Sequence, residues 1–225
     1  VTRDTGSEKA KALAAAGAEV VTADIDDLES IKRALRGAYG AYFVTFFWDH
    51  FSPEKEYEQA GHFAEAAKAA GLVHIIWSTL EDTRKWVPLN DNSMPTLRNK
   101  YKVPHFDAKG EADQLFINLG LPVTFMRASF YWDNLIYFGS GPKKGPDGNL
   151  YITFPMDDKK MAGIAAEDIG KCAYGIFKKG ASLAGKTVGV SGGHLTGEEM
   201  ATALTNALGR EVRYNNVTPE TYRAF

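Results

Sequence analysis

The sequence predicts an α/β protein built on a doubly wound parallel sheet. Short apolar runs alternate with helical patterns, and the links between them are short. The runs are apolar throughout, as expected for strands that helices cover on both faces. The predicted division is a main domain over residues 1–130 and a smaller subdomain over 131–225, interleaved with the sheet.

The helix boundaries carry clear signals. Ser7 begins an alanine- and lysine-rich helix that stops before Gly17, and Asp27 can cap the helix LESIKRAL. Ser52 and Pro53 form a strong helix start that runs to about Ala70. A fourth helix is predicted over Pro104–Leu119. The predicted strands of this half are Val1–Arg3 (a strand end), Glu19–Thr22, Ala41–Thr45, His74–Ser78 and Val123–Met126.

The remaining segments are less regular. Residues 82–104 form one long loop, and unstructured loops of that length are often functional. After Phe130 the alternation loosens, with a Gly/Pro-rich excursion into a strand at 139–154 and helices at 165–180 and 196–209.

Composition excludes several classes of protein. The net charge of −2 gives no global basic field, so direct binding of nucleic acid is not expected. The single cysteine, Cys172, excludes an intramolecular disulfide and a Cys-based zinc site, and it is expected in the core. The five histidines show no metal-ligand spacing, and no apolar run is long enough for a membrane span. We expect a cytoplasmic protein, or a nuclear one if it is a regulator.

Polar and aromatic side chains at strand ends indicate a ligand site. Thr45, Phe46 and Phe47 end a predicted strand at the carboxyl edge, where ligands bind in open α/β sheets. Phenylalanines are also common core residues, so both interpretations stand for Phe46 and Phe47. Arg3 ends the strand that in dinucleotide folds selects NADP by contact with its 2′-phosphate. By position alone it could equally be an exposed surface arginine.

Several ordered segments resemble the NmrA-like family, which consists of atypical short-chain dehydrogenase/reductase relatives. The resemblance covers Val1 to about Tyr222 and is carried by VTRD, GAEVVTADIDD, GAYGAYFVTFFW, GLVHIIWSTLED, VPHFDAKGEAD and GLPVTFMRASFYWDNL. It implies a Rossmann domain that binds NADP(H) and a smaller C-terminal subdomain. Family members begin with a strand and a G-x-x-G-x-x-G turn, which this sequence lacks, so we expect the chain to be missing that first unit and its C-terminal end.

The resemblance also implies roles for individual residues. It puts Arg3 at the 2′-phosphate, Asp24 at the adenine amino group and Ile25 against the adenine ring. Asp24 could instead cap a helix. Lys109 is implied at the nicotinamide ribose, and Tyr131 and Asn134 where relatives close over the nicotinamide. The place of Thr45, Phe46 and Phe47 at the carboxyl edge adds these three to the predicted cofactor contacts.

The chemistry of the predicted site turns on one substitution. Short-chain dehydrogenases use Tyr-x-x-x-Lys on one helical face with an upstream serine, and this chain has His105-x-x-x-Lys109 with Ser78 upstream. Histidine can transfer a proton near neutral pH, and a nearby ammonium favours its neutral form. Tyr131 is an alternative proton donor, and His105 could also be an ordinary surface residue.

Two functions follow from this interpretation. The first is an NADP(H)-binding redox or cofactor-state sensor that acts through a regulatory protein partner. The second is an NADPH-dependent reductase of a small carbonyl, quinone or aromatic substrate.

Overall fold

The computed structural model describes residues 1–224 and divides them into two compact units. The first unit comprises residues 1–127 and 173–188. The second comprises residues 128–172 and the chain from Gly189 onward. The domain boundary predicted from the sequence, between residues 130 and 131, stays a prediction.

The first unit contains the predicted sheet. Three strands run parallel, β1 (Gly40–Phe43), β2 (His74–Ser78) and β3 (Val123–Ala128), and β8 (Thr187–Val190) lies beside β3, so the order is β1-β2-β3-β8. The helices that precede or connect these strands are α1 (Glu8–Ala15), α2 (Leu28–Ala34), α3 (Pro53–Ala70) and α4 (Pro104–Asn118). The predicted α/β class with a parallel sheet is therefore confirmed.

The predicted caps define these helices. The Ser7 hydroxyl accepts from the Ala10 amide, and the Asp27 carboxylate accepts from the Glu29 amide. Ser52 caps α3 in the same way, with Pro53 in its first turn, and Gly71 ends it with φ 65°. Local sequence signals thus place the helix ends before any tertiary contact is considered.

The core lies between the sheet and helices α3 and α4. Ile75 and Trp77 project from β2 onto this face, and Phe116 of α4 stacks on Trp77 with ring centroids 5.2 Å apart. α3 contributes Phe63 and a series of alanines, which let it pack closely against α4. Full burial of a side chain such as Ile75 contributes about 2 kcal/mol.

The first two predicted strands are shorter than expected. Thr2 and Thr22 form an isolated parallel bridge, in which the Thr2 amide donates to Val21 O and the Ala23 amide donates to Thr2 O. The extended backbone ends at Thr2, since Arg3 lies in a bend and the Asp4 carboxylate accepts from the Gly6 amide, which turns the chain into α1. The strand end predicted at Val1–Arg3 and the strand predicted at Glu19–Thr22 are therefore reduced to a single bridge, so both predictions were wrong in extent.

The long loop 82–104 is anchored to α4. It holds a short 3-10 helix (Thr83–Lys85) and an isolated bridge between Leu97 and Tyr101. The Lys102 ammonium is buried in this loop and donates to the carbonyls of Asp91 (2.6 Å) and Met94 (2.9 Å). The loop therefore has its own internal polar contacts.

The second unit consists of two small sheets and short helices. One sheet has the order β10-β6-β5 and the other β4-β7-β9. The strands are β4 (Phe130–Tyr131), β5 (Lys143–Lys144), β6 (Leu150–Phe154), β7 (Met161–Ile164), β9 (Gly193–Leu195) and β10 (Val212–Asn216). The helices are α5 (Asn134–Tyr137), α6 (Ala166–Lys179, shared with the first unit), α7 (Gly197–Leu208) and α8 (Pro219–Tyr222).

Within residues 1–224, none of the helices combines the length and the apolar character that a membrane crossing requires.

Candidate functional site

The carboxyl ends of β1 and β2 bring polar groups together. β1 ends at Phe43, two residues before Thr45, whose side chain is buried. The strand predicted to end at Thr45 is therefore shorter, and Thr45 lies in the segment that follows it. Phe46 and Phe47 differ in burial: Phe46 is 58% exposed, whereas Phe47 is buried and begins a 3-10 helix (Phe47–Asp49).

Lys109 lies at the centre of this edge and is buried. Its ammonium donates to Thr45 Oγ1 (2.5 Å) and Thr45 O (3.3 Å), and it approaches Ser78 O at 3.4 Å. The same nitrogen lies 2.9 Å from Glu56 Oε1 and 4.9 Å from the centre of the Trp77 ring. Lys109 thus joins the ends of β1 and β2 to helix α3.

Glu56 is a site residue that the sequence analysis missed. Its side chain is fully buried, and Oε1 accepts from the Thr45 hydroxyl (2.5 Å) as well as pairing with Lys109. A signal was available, since Glu56 lies on the apolar face of α3, four residues before Ala60 and seven before Phe63. An acid on an apolar helical face indicates a buried partner.

His105 lies among aromatic rings. Its imidazole is 4.9 Å from the Trp48 ring, 5.5 Å from Phe47 and 4.9 Å from Phe106. Burial lowers the pKa of His105, and the nearby Lys109 ammonium adds to that effect, against Glu56 and Asp107. A neutral ring is the form that the His105-x-x-x-Lys109 spacing predicted, although burial contributes more than Lys109.

Ser78 presents its backbone to this site. Its carbonyl lies near the Lys109 ammonium, while alternation along β2 directs its side chain to the face opposite Trp77. On that face the Ser78 hydroxyl interacts with Tyr42, whose pKa is raised by burial and lowered in part by this contact. The predicted catalytic role of the Ser78 hydroxyl stays a prediction.

Arg3 and Asp24 follow the two bridged residues, Thr2 and Thr22, near the start of the chain. Because Thr2 pairs with Thr22, the two residues extend from neighbouring backbone segments. Arg3 is exposed, whereas the Asp24 carboxylate accepts from the Asp26 amide (3.0 Å). Asp27, and not Asp24, caps α2. Ile25 packs against the core, and its carbonyl is 2.9 Å from His62 Nδ1.

Tyr131 and Asn134 belong to the second unit. Tyr131 lies in β4, opposite Ile164 of β7, and Asn134 begins α5. The Asn134 carbonyl accepts from the amides of Phe138 and Ser140. Their assignment to the nicotinamide end of a cofactor stays a prediction.

Asp107 determines where α4 begins and how the long loop meets it. The carboxylate is fully buried and accepts from the amide (2.8 Å) and hydroxyl (2.5 Å) of Thr83 and from the amides of Lys102 (2.7 Å) and Val103 (3.1 Å). Val103, at the N-cap, has no capping side chain, so Asp107 supplies the oxygen that the helix end requires. His105 and Lys109 flank Asp107 and take their positions from it.

Gly110 lets α4 approach the loop closely. A Cβ at this position would lie 2.5 Å from the Asp82 amide nitrogen, so a larger residue would push the loop away from the helix. The glycine next to Lys109 therefore serves the packing of the site.

Asp113 is a second acid on α4, partly buried and one turn beyond Lys109. It accepts from the Thr79 hydroxyl (2.5 Å) and from Trp77 Nε1 (3.0 Å). Burial raises the pKa of Asp113 to about 6, against these two hydrogen bonds, which lower it. Asp113 therefore changes charge near neutral pH beneath the ring on which Lys109 rests.

Asp113→Asn is expected to become more stable relative to the parent protein as pH rises. A raised folded-state pKa stabilises the protein below the unfolded value of 3.8 and loses that contribution as pH rises through about 6. The gain between acid and neutral pH should be about 3 kcal/mol, measured by urea unfolding at several pH values. In the control Asp158→Asn, Lys159 lowers the pKa of the acid, so the trend should have the opposite sign. A stability difference between Asp113→Asn and the parent protein that does not change with pH would contradict the raised pKa of Asp113.

Among residues 1–224 no group of three or more His, Cys, Asp or Glu side chains is arranged to hold a metal ion.

Comparison with known proteins identifies the family. The NmrA-like family model matches residues 1–225. The chain belongs to the NmrA-like family. It is 26% identical over 230 residues to an NmrA-like family domain-containing protein of Dictyostelium discoideum. The matched region covers 99% of this chain and 72% of that relative.

Solved structures of related proteins share the fold. The negative transcriptional regulator NmrA, solved in complex with NADP, is 25% identical with a TM-score of 0.79, over 98% of this chain and 69% of NmrA. NmrA has also been solved in complex with NAD. The NADPH-dependent quinone oxidoreductase QOR2 of Escherichia coli, complexed with NADPH, is 25% identical with a TM-score of 0.72, over 99% of this chain and 70% of QOR2. This NmrA-like chain thus has the Rossmann-type fold of NAD(P)-binding proteins.

Proposed function

We propose that this NmrA-like protein binds NADP(H) at the carboxyl edge of its parallel sheet and acts as a sensor of cofactor state. The observation that carries the proposal is the cluster at this edge, where Lys109 is held by Thr45, Glu56 and the Ser78 carbonyl. Ligands of open α/β sheets bind outside the carboxyl ends of the strands. The complex of the related NmrA with NADP supports the same cofactor class.

The residues at this edge suit a dinucleotide phosphate. Arg3 is exposed, and its guanidinium makes no hydrogen bond or ion pair with other residues in the described part of the chain, 1–224. A planar guanidinium of this kind matches phosphate oxygens. Phe46 offers an exposed apolar face to a ribose or base, and Lys109 a cation to ribose hydroxyls. The bound cofactor would supply hydride chemistry, while these residues bind and orient it.

The sensor interpretation rests on the partners of Lys109. Its hydrogen bonds go to Thr45, with Glu56 as its ion pair, and His105 has taken the place of the tyrosine that reductases of this superfamily use. The lysine therefore serves the cofactor edge more directly than it serves a proton donor. A regulator of this kind shifts the population of its conformations when one cofactor form binds more tightly, and it presents that change to a protein partner in the cytoplasm or the nucleus.

Titration of NADPH and NADP⁺ into the full-length protein tests the proposal. We expect both to bind with different affinities, as a sensor requires. Absence of binding for both cofactors would refute the proposal, and equal affinities would refute the sensor role while leaving the cofactor site intact.

Arg3→Glu is expected to raise the Kd for NADPH about 100-fold and the Kd for NADH far less. Loss of the guanidinium and the addition of a negative charge act on the 2′-phosphate, which only NADPH carries. Isothermal titration with both cofactors measures the difference. The matched control is Arg36→Glu at an exposed arginine in the same unit, which should change neither Kd. An equal loss for NADPH and NADH would remove Arg3 from the 2′-phosphate.

A reductase is the second candidate, favoured by the aromatic surface beside His105. Phe46, Trp48 and Phe51 are each more than half exposed, and Trp48 lies next to both Phe51 and His105. A flat quinone or aromatic substrate could stack there, with His105 as the proton donor. QOR2, named as a quinone oxidoreductase, is a relative with such a substrate class.

NADPH oxidation against a panel of quinones and carbonyls separates the two candidates. Turnover that is lost in Lys109→Ala and in His105→Phe would establish the reductase and defeat the pure sensor. Tyr131→Phe tests the alternative proton donor in the same assay. No turnover with the panel, together with tight NADPH binding, supports the sensor.

A further inference from the structure

We propose that Glu56 is the positioning residue for Lys109: its carboxylate holds the ammonium charged and turned toward the carboxyl edge of the sheet. The inference rests on the proposed function, since the edge that Lys109 serves is the proposed NADP(H) site. It adds to that function a residue from another helix, α3.

The burial of Glu56 is the first observation. Its side chain is completely buried, and acids are almost never fully buried unless they are paired. Oε1 lies 2.9 Å from the Lys109 ammonium and accepts from the Thr45 hydroxyl, which in turn accepts from Lys109. The three groups form a closed triangle in which each holds the other two.

The surroundings of Lys109 supply no equivalent partner. Facing it are the Trp77 ring and the Ser78 carbonyl from β2, His105 and Asp113 from α4, and Glu56 from α3. Asp113 is engaged by Thr79 and Trp77. Within residues 1–224, Glu56 is the acid at ion-pair distance from Lys109.

The second carboxylate oxygen points to another titratable group. Glu56 Oε2 is 3.4 Å from His50 Nε2, a contact at ion-pair distance that does not meet hydrogen-bond geometry. His50 Nδ1 accepts from the Ser52 amide (3.0 Å), so in a neutral ring the proton is on Nε2 and faces Glu56. His50 therefore adds a favourable dipole behind the carboxylate.

The charge of Lys109 depends on this arrangement. Burial lowers the pKa of Lys109, and Glu56 opposes that effect through both its charge and its hydrogen bond. Without the carboxylate, the buried amine would favour the neutral form, which offers fewer donors and no charge to a ribose or phosphate.

The test compares Glu56→Gln with Glu58→Gln, a matched control at an exposed position on the same helix. The lysine side chains are labelled with ¹³C at the ε-carbon, and the Lys109 signal, assigned with Lys109→Arg, is titrated by NMR. We expect Glu56→Gln to lower the Lys109 pKa by more than about one unit, as loss of a close opposite charge does, and Glu58→Gln to leave it unchanged. An unchanged Lys109 pKa in Glu56→Gln would overturn the inference.

A second readout follows the Kd for NADPH from about pH 6 to about pH 9. In Glu56→Gln the affinity should fall as pH rises through the lowered Lys109 pKa, up to about tenfold per unit, while the parent protein and Glu58→Gln keep a shallower profile. Parallel profiles for all three proteins would overturn the inference even if Glu56→Gln bound weakly throughout. If no protein binds NADPH, the proposed function fails, and the NMR titration still decides the role of Glu56.

The double variant Glu56→Gln/Lys109→Met covers the case in which Glu56→Gln does not fold. If the two residues are coupled, the double variant removes both buried charges and should unfold at a higher urea concentration than Lys109→Met alone, which leaves the Glu56 carboxylate buried without its cation. A double variant that unfolds at the same or a lower urea concentration than Lys109→Met would overturn the inference.

Discussion

Lys109→Met is expected to lower the free energy of unfolding by about 3 kcal/mol and to abolish measurable NADPH binding. The substitution leaves Glu56 fully buried without its cation and deprives the Thr45 and Ser78 carbonyls of a donor. Removal of one partner from a buried ion pair costs about 3–5 kcal/mol, because the other charge remains desolvated. Methionine has a side chain of similar length, so the loss of stability comes from removing the charge and not from creating a cavity.

Urea unfolding and isothermal titration measure the two effects separately. Lys68→Met is the matched control, since Lys68 is an exposed lysine of α3 that donates to the Leu119 carbonyl. It should change stability by no more than about 0.5 kcal/mol. A Lys109→Met protein as stable as the control would show that the buried pair is not maintained in solution.

Asp107→Ala is expected to lower the free energy of unfolding by about 3 kcal/mol and to loosen the long loop. The substitution leaves the buried amide of Lys102 and the partly buried amides of Thr83 and Val103 without their acceptor. Hydrogen bonds to a charged acceptor contribute about 1.5–3 kcal/mol each, and their losses at one site overlap. Asp107→Asn should cost less, because one amide oxygen remains to accept.

Hydrogen exchange locates the effect. The amides of Thr83, Lys102 and Val103 should exchange much faster in Asp107→Ala, while those of α3 exchange at a rate set by the loss of global stability. Asp158→Ala removes an exposed carboxylate paired with Lys159 and serves as the control. Uniform acceleration in all elements would mean that Asp107 contributes only to overall stability and does not anchor the loop.

Local sequence signals were most reliable at the helix ends. Asp27 and Ser52 cap their helices as predicted, and Ser7, predicted to begin the first helix, is its N-cap, because capping depends on residues a few positions apart. β2, predicted over His74–Ser78, has those bounds, since a buried strand flanked by a glycine turn leaves little choice. The predicted strands at the chain start failed because the turn at Asp4 restricts their pairing to one bridge.

The candidate site was likewise predictable only where it depends on residues close in sequence. The spacing of His105 and Lys109 put both on one face of α4, and the family resemblance gave them their proposed roles. The sequence could not show that Lys109 turns to Thr45 and Glu56, since these three residues lie on different elements. Glu56 was not among the residues predicted for the site.

The sequence by itself determined the α/β class, the order of the elements, the helix caps and the NmrA-like resemblance, because these depend on short-range patterns and on the identity of ordered segments. Only the tertiary structure decided which buried charges meet. The pairing of Lys109 with Glu56 and the four hydrogen bonds of Asp107 arise where α3, α4 and the strand ends converge, in a desolvated place where an unpaired charge would be too costly to keep.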